Sequence, residues 1–220
     1  MIVTALIVAK APVPGLAKTR LAATIGDAAA AELAAASLLD TLDAVSGADV
    51  DRRVVALTGT LAAAARADEL TRALASFTVI AQRGDALGER LANAHADAAT
   101  TGAVLQIGMD TPQVTATLLT DAAAKLRSSD VLGFAEDGGW WALGLRNPGL
   151  ARALLDVPMS TPSTGVDTLA ALTAAGASVT MLTRLRDVDF ESDLQPVSQL
   201  CSPMSRFRTA VEKNRKEQRI

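Results

Sequence analysis

The feature that most constrains this chain is its first apolar run, Ile2-Val3-Thr4-Ala5-Leu6-Ile7-Val8-Ala9, which gives way at once to Lys10 and Pro12. The run is rich in β-branched residues and has no polar alternation. It therefore reads as a strand covered on both faces, as strands of a parallel sheet are. Parallel pairing needs long crossovers, and the following sequence supplies them. From Asp27 to Val45 an alanine-rich stretch carries Leu33, Leu38, Leu39, Leu42 and Val45 at helical spacing, with Gly47 as a stop. The pattern then recurs. Strands at 53–58, 77–81 and 104–107 alternate with helices at 61–74, 86–99 and 114–126, before strands at 131–134 and 140–145. Such alternation predicts an α/β class fold, a three-layer α/β/α sandwich on a mostly parallel sheet. A late strand at 178–182, a turn at Asp187-Val188-Asp189 and a helix at 192–200 complete one expected domain over residues 1–205. Residues 206–220, with six Lys or Arg against two Glu, read as a basic, solvated helix or tail without assigned function.

A chain of 220 residues buries roughly 70% of its unfolded surface, enough for a sizeable core. Its net charge of −3 gives no general basic field, so nucleic acid is not an expected partner and any anion site must be local. Cys201 is the sole cysteine and His95 the sole histidine. That excludes an intrachain disulfide and a zinc site built from several His and Cys ligands. His95, on a helix, reads as a packed or surface residue rather than a base. The first apolar run is too short to span a bilayer and lacks a charged n-region. The expected location is the cytoplasm, with no membrane partner; oligomerisation stays open.

The strongest local signal is the loop Lys10-Ala11-Pro12-Val13-Pro14-Gly15-Leu16-Ala17-Lys18-Thr19-Arg20, directly after the first strand. Ligands of open α/β sheets bind at the carboxyl ends of the strands, and this loop leaves such an end. Three cations, Lys10, Lys18 and Arg20, with Gly15 allowing close backbone approach, make a local anion cradle in an acidic chain. The loop is not a P-loop: Ala17 precedes Lys18-Thr19, and Pro12 stands where the first glycine belongs. The alternative is a solvated loop whose cations face water.

Asp110 leaves the strand Leu105-Gln106-Ile107 at the same sheet edge. It reads either as a turn or cap residue or as a hard ligand for Mg²⁺, or Mn²⁺, bridging phosphate oxygens. Asp187-Val188-Asp189 is a second acidic group, in which Asp189 is a further candidate metal ligand or a helix cap. Asp85, between Gly84 and Gly88, either caps the next helix or faces a ligand. In Asp137-Gly138-Gly139-Trp140-Trp141 the adjacent indoles point to opposite sheet faces, which reads either as one toward the core and one toward a pocket or as two packed aromatics after a hairpin turn.

These segments together resemble the glycosyltransferase-like proteins of GT-A fold, of the radical-SAM/selenodomain-associated transferase type. They are distant relatives of phospholactate guanylyltransferase and the molybdenum cofactor guanylyltransferases. The resemblance rests on 10–21, on Gln82-Arg-Gly-Asp-Ala-Leu-Gly-Glu-Arg90, on Ile107-Gly-Met-Asp-Thr-Pro112 and on 137–145, in that order along most of the chain. It implies a metal-dependent transferase, glycosyl or nucleotidyl, using a nucleoside triphosphate or nucleotide-sugar donor and a small-molecule acceptor. Lys10, Gly15, Lys18 and Arg20 would hold the nucleotide, with Gln82, Gly84, Asp85 and Arg90 beside it. Lys18 and Asp110 would be catalytic, Asp110 and Asp189 would hold the metal, and Asp137, Gly138, Gly139 and Trp140 would form the acceptor pocket. Two positions depart from the pattern. Gly108-Met109-Asp110 offers one carboxylate where many GT-A enzymes carry Asp-x-Asp, and Phe190 stands where a small Thr is common. The rival reading is a non-catalytic nucleotide-binding or regulatory protein with a degenerate metal site.

Overall fold

The structure, a computed structural model, describes residues 1–99 and 101–217. Its elements are β1 (Val3–Lys10), α1 (Thr19–Ile25), α2 (Asp27–Gly47), β2 (Arg52–Thr58), α3 (Ala67–Leu74), β3 (Thr78–Ala81), α4 (Leu87–Ala98), β4 (Ala103–Ile107), α5 (Ala116–Leu126), β5 (Asp130–Phe134), β6 (Trp140–Leu145), α6 (Thr164–Ala174), β7 (Val179–Met181), α7 (Glu191–Leu200) and α8 (Arg206–Glu217). Short 3-10 segments lie at Leu61–Ala63 and Pro148–Asp156. The strands form one seven-stranded sheet in the order β3-β2-β1-β4-β6-β5-β7. All neighbouring pairs are parallel except those made by β6, which runs against both β4 and β5.

The first apolar run is covered on both faces. Ala5, Ile7 and Ala9 of β1 pack with Leu38, Leu39 and Leu42 of α2. Leu6 packs the other way, with Val54 and Ala56 of β2 and with Ala94 and Ala98 of α4. Alanines on α2 and α4 keep these layers close, and at roughly 25 cal/mol per Å² the many small buried faces still add up to a large apolar term. With β1 and β4 paired in parallel, their carboxyl ends finish side by side.

Three local features differ from the sequence reading, and a segment it left unassigned forms a helix. The helix expected over 61–74 is broken, because Arg66 adopts a left-handed conformation (φ 53°) and its guanidinium is held by Glu32 and Glu69. The loop ends earlier than its length suggested, since α1 starts at Thr19 just after left-handed Lys18. The segment after Ser163 is the helix α6, its start fixed by the Thr161–Thr164 and Ser163–Asp167 hydrogen bonds. The basic C-terminal segment is not a solvated helix: Phe207, Ala210 and Val211 of α8 pack into one cluster with Leu33 and Ala36 of α2 and Val197 of α7. Asp40 caps α8, accepting from Ser205 Oγ (2.7 Å) and from the backbone N–H groups of Arg206 (3.0 Å) and Phe207 (2.9 Å). The last three residues of the basic segment, 218–220, lie outside the described residues.

Candidate functional site

The loop after β1 is a compact turn. Gly15 (φ 77°) lets the Leu16 and Ala17 N–H groups donate back to the Val13 carbonyl. Lys18 follows in the left-handed region (φ 51°), immediately before α1. Its side chain is only 10% exposed, and its ammonium lies 2.9 Å from Asp110 Oδ1 and 2.9 Å from Asp189 Oδ1. It also donates to the Val188 carbonyl. Asp110 arrives from the end of β4, where Ser37 Oγ donates to the Met109 carbonyl (2.6 Å). Asp189 arrives from the segment after β7, and the Val188 N–H donates to the Asp110 carbonyl (2.9 Å), locking the two carriers together. Arg20 reaches Asp189 Oδ2 at 3.2 Å and lies over the Phe190 ring at 5.8 Å.

Burial alone would lower the Lys18 pKa, but Asp110 and Asp189 outweigh it and hold the ammonium above its ordinary value. Burial would raise Asp189, and here Lys18 and Arg20 prevail and keep its carboxyl below the usual range. Asp187 goes the other way. Burial, then the negative charges of Asp137 and Asp189, push it up to about 6. Asp137, Asp187 and Asp189 each offer one carboxylate oxygen, all within 4.8 Å of one another. Three hard oxygen donors under mutual repulsion suit Mg²⁺ or Mn²⁺, which would relieve that repulsion.

Two cavities of about 290 Å³ each meet at this network. The first is lined by Lys10, Lys18, Arg20, Met109, Asp110 and Asp189, with Leu16 and Ala34 at its sides. The second takes Asp110, Asp137 and Asp187 on one side, Trp140, Leu87 and Leu91 on another, and Gln106 among β4 residues. Asp110 is common to both.

The residues singled out in the sequence divide as follows. Lys10, Lys18, Arg20, Asp110 and Asp189 converge on the first cavity, whereas Gly15 shapes the turn behind it and does not line it. Asp137, Gly139 and Trp140 line the second cavity, and Gly138 (φ 94°) serves as its hinge, since a Cβ there would collide with the Pro162 carbonyl. Both Trp140 and Trp141 border the second cavity, but they pack in different clusters: Trp140 lies with Leu143 and Leu145, its Nε1 donating to Thr168 (3.2 Å), while Trp141 is buried with Ile107 and Met109 and donates to the Thr183 carbonyl. Gln82, Gly84, Asp85 and Arg90 line neither cavity. Gln82 Nε2 instead ties the ends of β1 and β2 through the carbonyls of Ala9 (2.8 Å) and Ala56 (2.9 Å). Asp85 is exposed and does not cap α4; Glu89 reaches back to the Asp85 N–H (2.9 Å), filling the space above Gly84. Arg90 sits half-buried on α4, its Nε without a partner among the described residues. What the sequence reading missed is the union of Asp137 with Asp187 and Asp189. Both segments were visible as acidic turns, but it takes the tertiary pairing of Ala135 with Leu185 and the ion pair of Glu136 with Arg186 to bring them together.

A family model described as "Uncharacterized protein conserved in bacteria (DUF2064)" matches residues 41–161. No curated protein matches the chain by sequence. Among solved structures, a Desulfovibrio desulfuricans protein classed provisionally as a nucleotide-diphospho-sugar transferase is similar, with a TM-score of 0.82 and 24% identity over 99% of this chain and 95% of that one. A CMP:2-keto-3-deoxy-manno-octonic acid synthetase solved with CTP gives a TM-score of 0.57 at 12% identity, over 90% and 97% of the two chains. A Mycobacterium tuberculosis protein solved with manganese gives 0.56 at 17% identity, over 90% and 98%. The fold is that of the nucleotide-diphospho-sugar transferases. Among the described residues no helix is long and apolar enough to cross a membrane.

Proposed function

The chain belongs to the DUF2064 family, and from that premise we propose that it is a metal-dependent, nucleotide-utilising transferase acting on a small-molecule acceptor. The observation that carries this reading is the junction of two unlike cavities at Asp110, one lined by three cations and the other by carboxylates and an indole. Lys10, Lys18 and Arg20 neutralise the phosphates of a nucleoside triphosphate or nucleotide-sugar in the first cavity. The second receives the acceptor, so that donor and acceptor meet at the shared wall and positioning lowers the barrier. Asp137, Asp187 and Asp189 would hold Mg²⁺ or Mn²⁺. When bound, the ion neutralises charge on phosphate oxygens. Lys18 fixes Asp110 and Asp189 in place, and its loss would free both carboxylates to repel the incoming phosphates.

In the nucleotidyl version an acceptor oxygen bonds to the α-phosphorus, the bond to the β-phosphate oxygen breaks and pyrophosphate leaves. In the glycosyl version the acceptor oxygen bonds to the anomeric carbon and a nucleoside diphosphate leaves. In both, a hydroxyl acceptor's proton passes to a basic oxygen beside it, and Asp110 on the shared wall is the carboxylate placed for this. A second reading, nucleotide binding without turnover, is favoured by one fact: Lys18 already supplies the positive charge between Asp110 and Asp189. Turnover with product analysis separates them. Release of pyrophosphate or nucleoside diphosphate by the wild type, abolished in Asp110→Asn with nucleotide binding retained, is expected; undiminished turnover by that variant would overturn the role of Asp110. Binding with no turnover for any donor would favour the second reading.

A further inference from the structure

β4 is an apolar, fully buried strand interrupted by one polar residue, Gln106. Gln106 is 2% exposed and lines the second cavity, yet its Oε1 has no hydrogen-bond partner among the described residues. Beside it lies His95 of α4, wholly buried, whose ring meets Gln106 without either nitrogen reaching full hydrogen-bond geometry. Burial holds the imidazole at about 4, so His95 is neutral, and a weak hydrogen bond with Gln106 opposes that fall without cancelling it. Buried polar groups are almost always partnered, and leaving one unpaired is costly. Leucine would fill the same place without that cost. A carboxamide offers two donors and an acceptor, more than His95 alone can fill, so at a cavity wall it points to a ligand that completes it, and rotation about its broad terminal torsion can present either the oxygen or the NH₂.

The charge of the cavity narrows the ligand. Its described lining contains Asp110, Asp137 and Asp187 and no Lys, Arg or His. In the metal-free protein a phosphate or carboxylate on the ring would meet these carboxylates unshielded, whereas neutral hydroxyls find acceptors in them and in Ser160, Thr161 and Thr164. Trp140, pinned through its indole N–H to Thr168, supplies a flat apolar wall. A volume of about 290 Å³ falls at the small end of ligand pockets, roughly 300–1,000 Å³, and suits one ring rather than an extended molecule.

We propose that Gln106 is a specificity-determining residue, hydrogen-bonding a hydroxyl of a neutral, polyhydroxylated ring that lies against Trp140. Assigning that ring as the acceptor rests on the transferase reading; its binding does not. The chain has two tryptophans and no tyrosine, and both tryptophans line this cavity, so intrinsic emission reports on its occupancy. The test is a fluorescence titration of the wild type and Gln106→Leu, without nucleotide or metal. The probes are methyl glucoside and myo-inositol against glycerol 3-phosphate and 3-phosphoglycerate. The expected result is a saturable response to at least one neutral probe, weakened tenfold or more in Gln106→Leu, and none to the anions. A cooperative melt of Gln106→Leu separates lost recognition from lost folding; Gln106→Met, straighter and more adaptable, repeats the test if the leucine does not fit. Equal affinity in the folded variant, a response only to the anions, or no response to either neutral probe would overturn the proposal. If the neutral ring binds while no nucleotide does, the transferase reading fails and the ring site stands; if nucleotide binds and turns over while the ring site is silent, the reverse holds.

Discussion

The two cavities that share Asp110 are built in opposite ways. The first draws its cations from one contiguous stretch, residues 10–20, folded as a turn and the start of α1. The second gathers its acids from the end of β4, the β5–β6 turn and the segment after β7, positions held together only by tertiary contacts. The difference teaches that a cluster of cations can be local while a cluster of carboxylates depends on the whole sheet. Perturbations should therefore act on the two unequally.

The largest effect is expected at Gly138, whose φ of 94° and contact with the Pro162 carbonyl leave no room for a side chain. Gly138→Ala should cost roughly 3 kcal/mol, from a strained left-handed backbone and a forced separation from Pro162. Chemical denaturation gives the loss, and the nucleotide-induced thermal shift should survive in the folded fraction. If the shift vanished as well, the two cavities would not be independent.

His95 lies beneath the second cavity and gives a pH signature of nearly the same size. Its folded pKa of about 4 lies below the ordinary imidazole value of 6.5, so the unfolded chain binds the proton more tightly. The stability this gives is present above pH 6.5 and is lost as pH falls toward 4. At 1.36 kcal/mol per unit the difference amounts to about 3 kcal/mol. Asp187, raised to about 6, has the opposite sign and gains stability over part of the same window, so the wild-type curve alone does not isolate either group. Subtracting the curve of His95→Gln from that of the wild type does; parallel curves between pH 7 and 4 would contradict the burial of a neutral imidazole.

A smaller change is expected at Asp187 itself. Asp187→Asn removes one of three crowded negative charges. It should stabilise the metal-free protein at pH 7 by about 1 kcal/mol, discounted for its partial exposure to solvent, and weaken Mn²⁺ binding tenfold or more. Calorimetric titration with Mn²⁺ alone checks this. A variant that is stabilised but binds the ion as well as the wild type would remove Asp187 from the metal site.

The same contrast explains what was legible in the sequence. The strand-helix alternation and the cationic loop are short-range patterns, and the parallel sheet covered on both faces follows from them. The break at Arg66 was hidden because its cause, Glu32, lies a helix away in the chain. The thin apolar pattern of α6, Thr and Ala around Leu169 and Leu172, hid a helix that the Thr161–Thr164 and Ser163–Asp167 hydrogen bonds start. The position of Lys18 between Asp110 and Asp189 joins residues more than ninety and more than one hundred and seventy positions apart, and no local spacing encodes it. Trp140 and Trp141 were readable because strand alternation alone sends adjacent side chains to opposite faces.

The most direct measurement is a thermal-shift series with nucleoside triphosphates, nucleoside diphosphates and nucleotide-sugars, each with and without Mg²⁺ or Mn²⁺, on the wild type and on Lys18→Ala. A ligand that binds only the folded chain raises its melting temperature by mass action. A metal-dependent rise with at least one donor class, lost in Lys18→Ala, is the expected result; no rise with any nucleotide, in either protein, would contradict phosphate binding at the first loop.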